Sequence, residues 1–115
     1  MRSILLLTIS CLTMTACMDS GTIKVQNKVH NAKLENISFG DVSLYSSLLP
    51  GETSSKKVIT DKKESFPKIN QLEFYMAGSG NRVYLKTKTK YKLDAGESLL
   101  IVISDSTAVI NPLNQ

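Results

Sequence analysis

Beyond residue 21, apolar and polar positions alternate over most of the chain. Ile23, Val25 and Val29 keep one phase while Thr22, Lys24, Gln26 and Lys28 keep the other, which predicts a half-buried strand. The stretch from Ala32 to Leu49 predicts a hairpin turning at Gly40-Asp41, with Phe39 opposite Val42 and Ile37 opposite Leu44 on one apolar face. Asn36, Ser38, Ser43 and Tyr45 then take the other face. Pro50-Gly51 suits a type II turn, with Pro presetting φ and Gly accepting a positive one. A short strand is expected around Val58 and Ile59, then a solvated loop at Asp61–Ser65, with Phe66 tucked beneath it.

Alternation is cleanest from Gln71 to Leu93. Leu72, Phe74 and Met76 share a face. Gly78-Ser79-Gly80-Asn81 turns the chain, and one return strand is expected to carry Val83, Leu85, Thr87, Thr89, Tyr91 and Leu93 on one side. Arg82, Tyr84, Lys86, Lys88, Lys90 and Lys92 fall on the other. This register sets Met76 against Val83, Phe74 against Leu85, and Glu73 against Lys86 as a cross-strand ion pair. After a turn at Asp94–Glu97, the run Leu99–Ile103 is apolar in both phases and predicts a strand buried on both sides. A last strand is expected over 107–111, ended by Pro112. No stretch has a helical period. The fold expected is all-β: a small antiparallel β-sandwich, immunoglobulin-like or transthyretin-like, formed by residues 22–115.

The first 16 residues read differently. Arg2 is followed by a short apolar run from Ile4 to Ala16, with the small residue Ala16 before Cys17. This is the order of parts in a secretory signal, and it falls short of the roughly 20 apolar residues of a spanning helix. The two cysteines are Cys11 and Cys17. Cleavage between Ala16 and Cys17 would remove Cys11 with the leader 1–16, leaving Cys17 ahead of a short tether, 17–21, and a domain without disulfides or cysteine metal ligands. The full chain carries +4; without Arg2, 13 cationic against 10 acidic side chains leave +3. That is mildly basic. Export and the scarcity of aromatic stacking platforms argue against nucleic acid as a partner.

Met14-Thr15-Ala16-Cys17 resembles the lipobox of bacterial lipoproteins. The resemblance covers the leader and Cys17 alone. It implies cleavage before Cys17, a diacylglycerol on its sulfur and an acyl chain on its amine, so that the membrane is a partner through Cys17. Met18 stands where Asp would imply retention in the inner membrane, so the resemblance implies the outer membrane, on its periplasmic or surface side. The remaining domain is loosely similar to small exported β-sandwich modules of unknown function, through Val25-Gln26-Asn27 and Leu93-Asp94-Ala95-Gly96. That similarity carries no functional residues with it.

Candidate chemistry is sparse. His30 is the lone histidine, with no paired-His or His-x-Glu spacing for a metal. A Ser-His-Asp arrangement would have to use it, without a nucleophile elbow. Asp94 with Glu97, and Asp61 with Glu64, sit in polar turns, where Asp is favoured by its own local hydrogen bonds. Gly78-Ser79-Gly80 lacks the Lys-Ser/Thr ending and following helix of a phosphate loop. The most distinctive patch is cationic: Arg82, Lys86, Lys88, Lys90 and Lys92. It suits an anionic glycan or lipopolysaccharide, or else protects a sheet edge, as edge lysines do. The expectation is a non-enzymatic accessory or interaction module that meets an envelope protein or anionic polymer, with no cofactor. An anionic-ligand module, and more remotely a small hydrolase or periplasmic enzyme inhibitor, are the rivals.

Overall fold

The computed structural model describes residues 18–114. They form an all-β sandwich, as the alternation predicts. The strands are β1 (Met18–Lys28), β2 (Lys33–Phe39), β3 (Val42–Leu48), β4 (Lys57–Lys62), β5 (Lys68–Asn70), β6 (Leu72–Gly78), β7 (Asn81–Thr87), β8 (Tyr91–Leu93), β9 (Ser98–Ser104) and β10 (Val109–Ile110). Single 3-10 turns occupy Lys63–Ser65 and Pro112–Asn114. One sheet has the order β4-β1-β9, the larger one β10-β7-β6-β2-β3, and β5 pairs with β8 in a small ribbon. The core lies between the two main sheets, with Ile23, Val25, Ile101 and Ile103 from the smaller sheet and Leu34, Ile37, Phe39, Leu72 and Phe74 from the larger.

Two expectations about the smaller sheet change. β1 pairs with β9 in parallel, from Thr22↔Ser98 to Lys28↔Ser104, so the sandwich is not wholly antiparallel. The stretch expected as a tether is also part of β1, since Met18, Asp19 and Ser20 already pair with Lys62, Asp61 and Thr60. Gly21 is buried there against Leu93, whose side chain a Cβ would meet at 2.9 Å, and the Gly96 N–H donates to the Ser20 carbonyl at 2.7 Å. β1 is therefore paired on both flanks. β4 covers its first half, and Gly51–Ser54 cover part of the second through bonds to Asn27 and Val25.

Asn27 closes one end of the sandwich. Its side chain is fully buried; Nδ2 donates to the carbonyls of Ala32 (2.9 Å) and Leu48 (3.1 Å), and Oδ1 accepts from the Val29 N–H (2.9 Å). One amide thus ties the end of β1 to the segment entering β2 and to the end of β3. A buried amide persists only when its capacity is met in this way.

The β2–β3 hairpin keeps Phe39 opposite Val42, with Gly40 at φ +60, but Ile37 faces Tyr45 instead of Leu44. The cause is a bulge on β3, where Leu44 is the extra residue between the Ile37↔Tyr45 and Ser38↔Ser43 pairs; β2 carries a second one. On the β6 side, Asn36 and Ile37 together oppose Phe74, with Asn36 at φ +50, which leaves Leu34 and Ile37 both inward at a spacing of three. Tyr45 does not turn to solvent. It packs against the core, with its hydroxyl 2.9 Å and 2.5 Å from the carbonyls of Ile23 and Ser55, and so bridges the two sheets. The Pro50-Gly51 turn forms as expected, with Gly51 at φ +85 and the Glu52 N–H bonded to the Leu49 carbonyl.

The β6–β7 register matches expectation at Met76↔Val83, Phe74↔Leu85 and Glu73↔Lys86. The turn is tighter, with Ser79 and Gly80 both at positive φ between paired Gly78 and Asn81. The strand expected around Val58 shifts to β4 and takes in Asp61 and Lys62, and the last strand shortens to β10.

Candidate functional site

The expected cationic stripe does not form one strand face. β7 ends at Thr87, Lys88 and Thr89 form a bend, Lys90 follows it, and Lys92 lies on β8 in the small ribbon. Thr87 explains the break. It is fully buried; its hydroxyl accepts from the Leu72 N–H (3.0 Å) and donates to the Thr89 carbonyl (2.8 Å). A threonine bonded to its own local backbone leaves the ladder. The outer edge of β7 is partly covered, since β10 pairs with Lys86 and Thr87 and the Lys88 N–H donates to the Ala108 carbonyl.

On the outer face of the larger sheet, Arg82, Lys33 and Glu35 are matched within the face, while Lys86 meets no carboxylate among the described residues. Arg82 Nε donates to Glu35 Oε1 at 2.9 Å, and Lys33 Nζ lies 3.2 Å from the same carboxylate. The Arg82 guanidinium sits 3.8 Å from the centroid of Tyr75, a cation–π contact, and the Tyr75 and Tyr84 rings are 5.2 Å apart. The expected Glu73–Lys86 ion pair is replaced, because the Glu73 carboxylate accepts a hydrogen bond from the Tyr84 hydroxyl instead. That bond is the main cause pushing the Tyr84 pKa up to about 12, with burial adding to it. The Arg82 bond, then that of Lys33, holds Glu35 below the ordinary carboxylate range. Lys92 is 3.8 Å from Asp94.

The outer face of the smaller sheet is different. The phase of β1 that faces solvent carries Lys24 and Lys28. β4 contributes Val58 and Lys62 to that face, and β9 contributes Leu100 and Val102. Met18 and Leu100 are each 52% exposed, Val58 57% and Val102 38%. β9 is therefore buried on one face only, against expectation, because the smaller sheet has nothing packed on its outer side among the described residues. No carboxylate lies within ion-pair distance of Lys24, Lys28 or Lys62 among the described residues.

The remaining candidates resolve into turns. The Glu97 carboxylate accepts from the Asp94 N–H at 3.0 Å. Asp61 pairs with Lys68 at 2.6 Å, and that bond lowers its pKa, while Glu64 is exposed in the 3-10 turn. His30 is exposed, and its backbone N–H donates to Asp105. It borders an open concavity of about 420 Å³ with Ala32, Met76, Val83 and Leu85. Among the described residues no group of three or more His, Cys, Asp or Glu could hold a metal. The leader, Ala16 and Cys17 lie outside the described residues. Sequence reasoning missed the lysines of β1 as a candidate surface. Their signal was present in the polar phase Lys24, Gln26 and Lys28, but the partner rows on β4 and β9 appear only once the strands are paired.

Fold and surfaces together define a small β-sandwich with one outer face whose carboxylates are paired within it and one whose cations meet no carboxylate among the described residues. Comparison with protein-family models, with curated proteins and with solved structures finds no match to this chain.

Proposed function

We propose that this chain is a lipid-anchored protein of the bacterial envelope: its sandwich serves as a non-enzymatic accessory or interaction module held at the outer membrane through Cys17. The observation that carries this reading is the order Arg2, apolar run, Ala16, Cys17, followed at once by a strand that is paired from Met18 onward. A lipid on Cys17 would then hold the sandwich directly against the bilayer. Several acyl chains on one residue give stable attachment, at about 0.8 kcal/mol per buried methylene.

The test is mass spectrometry of the amino-terminal peptide from membranes, with Cys17→Ser alongside. A diacylated Cys17 peptide, and release of the variant from the membrane fraction, are expected. An intact leader or an unmodified Cys17 would sink the reading. Affinity capture from the same membranes would identify the partner.

A second reading, contact with an anionic glycan or with lipopolysaccharide phosphates, draws on the outer face of the smaller sheet, where Lys24, Lys28 and Lys62 meet no carboxylate. Lys88 and Lys90 of the originally expected stripe are also exposed. Lipopolysaccharide binding at low salt that is lost with Lys24→Glu and Lys28→Glu together would favour it.

A further inference from the structure

We infer that two copies of this chain pair through the open edge of β9, antiparallel, about a two-fold axis at Ile101. β9 is bonded along one side only. The Thr22 N–H donates to the Glu97 carbonyl (2.9 Å) and Thr22 pairs with Ser98 in parallel, so Leu99, Ile101 and Ile103 turn their backbone groups toward β1. Ser98, Leu100, Val102 and Ser104 turn theirs to the open side. Ser104 is satisfied locally, donating to Thr107 Oγ1 (2.8 Å) and accepting from the Thr107 N–H (3.1 Å). The backbone groups of Leu100 and Val102 have no partner strand among the described residues.

Such an edge is normally guarded by charge, proline or a bulge. The segment Ser98-Leu99-Leu100-Ile101-Val102-Ile103-Ser104 has none of these, and its ladder with β1 runs without a register shift. The other edges are managed. β4, at the far side of the same sheet, carries Lys57, Asp61 and Lys62, and β3 is broken by the bulge at Leu44.

The segment also matches itself. Antiparallel pairing centred on Ile101 sets Ser98 opposite Ser104, Leu99 opposite Ile103 and Leu100 opposite Val102. No charge meets a like charge. Leu100 and Val102 are the residues with unused N–H and C=O groups, and this register lets each exchange both bonds with the other residue of the second copy. Their exposed side chains come side by side on the outer face, while Leu99, Ile101 and Ile103 continue the inner one. The contact is isologous, so it uses up both open edges and closes instead of growing into a fibre. An unrelated extended peptide could bond to the same edge, but nothing in it would account for the internal symmetry of the segment. The two-fold axis runs normal to the sheet, so Lys24, Lys28 and Lys62 of both copies face the same way. None of this depends on the fate of Cys17.

The experiment is sedimentation velocity on the protein expressed from its full sequence and held in mild detergent, over a dilution series. A species of twice the monomer mass that dissociates on dilution is expected. Leu100→Lys with Val102→Lys puts like charges opposite one another at positions that face solvent in a single copy, and should raise the dimer dissociation constant at least about tenfold. Mixing that variant with Leu100→Glu/Val102→Glu should restore the dimer. Amide exchange on the unaltered protein provides a check that needs no variant: Leu100 and Val102 should be protected at high concentration and lose protection on dilution, while Leu99 and Ile101 stay protected throughout. Monomers at every concentration, an undiminished Lys-variant dimer, or charge variants that do not recombine would each overturn the proposal.

Discussion

The outer faces of the two sheets cover the same core and follow opposite rules. On the larger sheet, Glu35, Tyr75 and Tyr84 lie in one row across β2, β6 and β7, and Arg82 and Glu73 are bound into it. Both carboxylates there are answered by a neighbour, and Lys86 is the cation left over. On the smaller sheet, lysines alternate with threonine, glutamine and exposed aliphatic residues, and no acidic group answers them. A face that satisfies itself gains little from a partner. A face of unmatched cations and exposed aliphatics gains from burial and from countercharge alike. The difference teaches where to look for binding: the sequence drew attention to the cations of β7, whose leading member is already engaged, while the cations of β1 and β4 are not.

The comparison requires that both faces stand on one cooperative core, and Phe74→Ala tests that most severely. Phe74 is fully buried on β6, beneath the aromatic row. Its truncation should cost about 3–5 kcal/mol. Urea unfolding followed by loss of amide protection at Tyr75 and Tyr84 should coincide with its loss at Ile101 and Ile103. Separate transitions would mean that the faces belong to independently stable layers, and the contrast between them would need another origin.

Asn27→Ala comes next, because Asn27 joins the sheets at one end. The substitution orphans the buried Val29 N–H, a loss of about 1–3 kcal/mol, and strips the carbonyls of Ala32 and Leu48 of a donor. Thermal unfolding should show the loss with both faces affected together. Unchanged stability would show that the joint is made by packing instead.

Much of this architecture was legible in the pattern of apolar positions. The phase of β1, the β6–β7 register and the turns at Gly40 and Gly51 all follow from local chemistry, since alternation and positive-φ residues act within a few positions. What was not legible depends on distant partners. The Asn36 bulge is visible only as a spacing of three between Leu34 and Ile37, and it needs Phe74 opposite to fix it. Thr87 and Thr89 continue the alternation of β7 perfectly, yet a buried hydroxyl takes the chain out of the strand. Leu99–Ile103 is apolar in both phases, which fits burial on two sides equally with an open apolar edge. The candidate surface suffered in the same way. The Lys86–Lys92 stripe rested on one unbroken strand, whereas Lys24 and Lys28 gain meaning from Val58, Leu100 and Val102 on neighbouring strands.

The smallest effect sharpens the contrast at the level of single protons. Tyr84 is held protonated by Glu73, with its pKa at about 12 against an ordinary value of 10.0. A raised pKa on a group that ionises to an anion means the folded state favours the protonated form. The associated stability is present in full below pH 10 and is lost as pH rises from there through 12. Because Tyr84 is largely solvent-screened, the change in unfolding midpoint should be slight, and the titration itself is the better readout. Burial also raises the Tyr91 pKa, so late tyrosinate absorbance has two contributors; the Tyr84 one should be lost in Tyr84→Phe and move down toward the ordinary range in Glu73→Gln, while that of Tyr91 stays. Lys24→Ala and Lys28→Ala, on the opposite face, should leave the Tyr84 component where it is. If they shift it, the two faces communicate through the sandwich, and the self-contained character of the larger sheet's surface is lost; if Glu73→Gln leaves it in place, burial and not the carboxylate sets the Tyr84 proton.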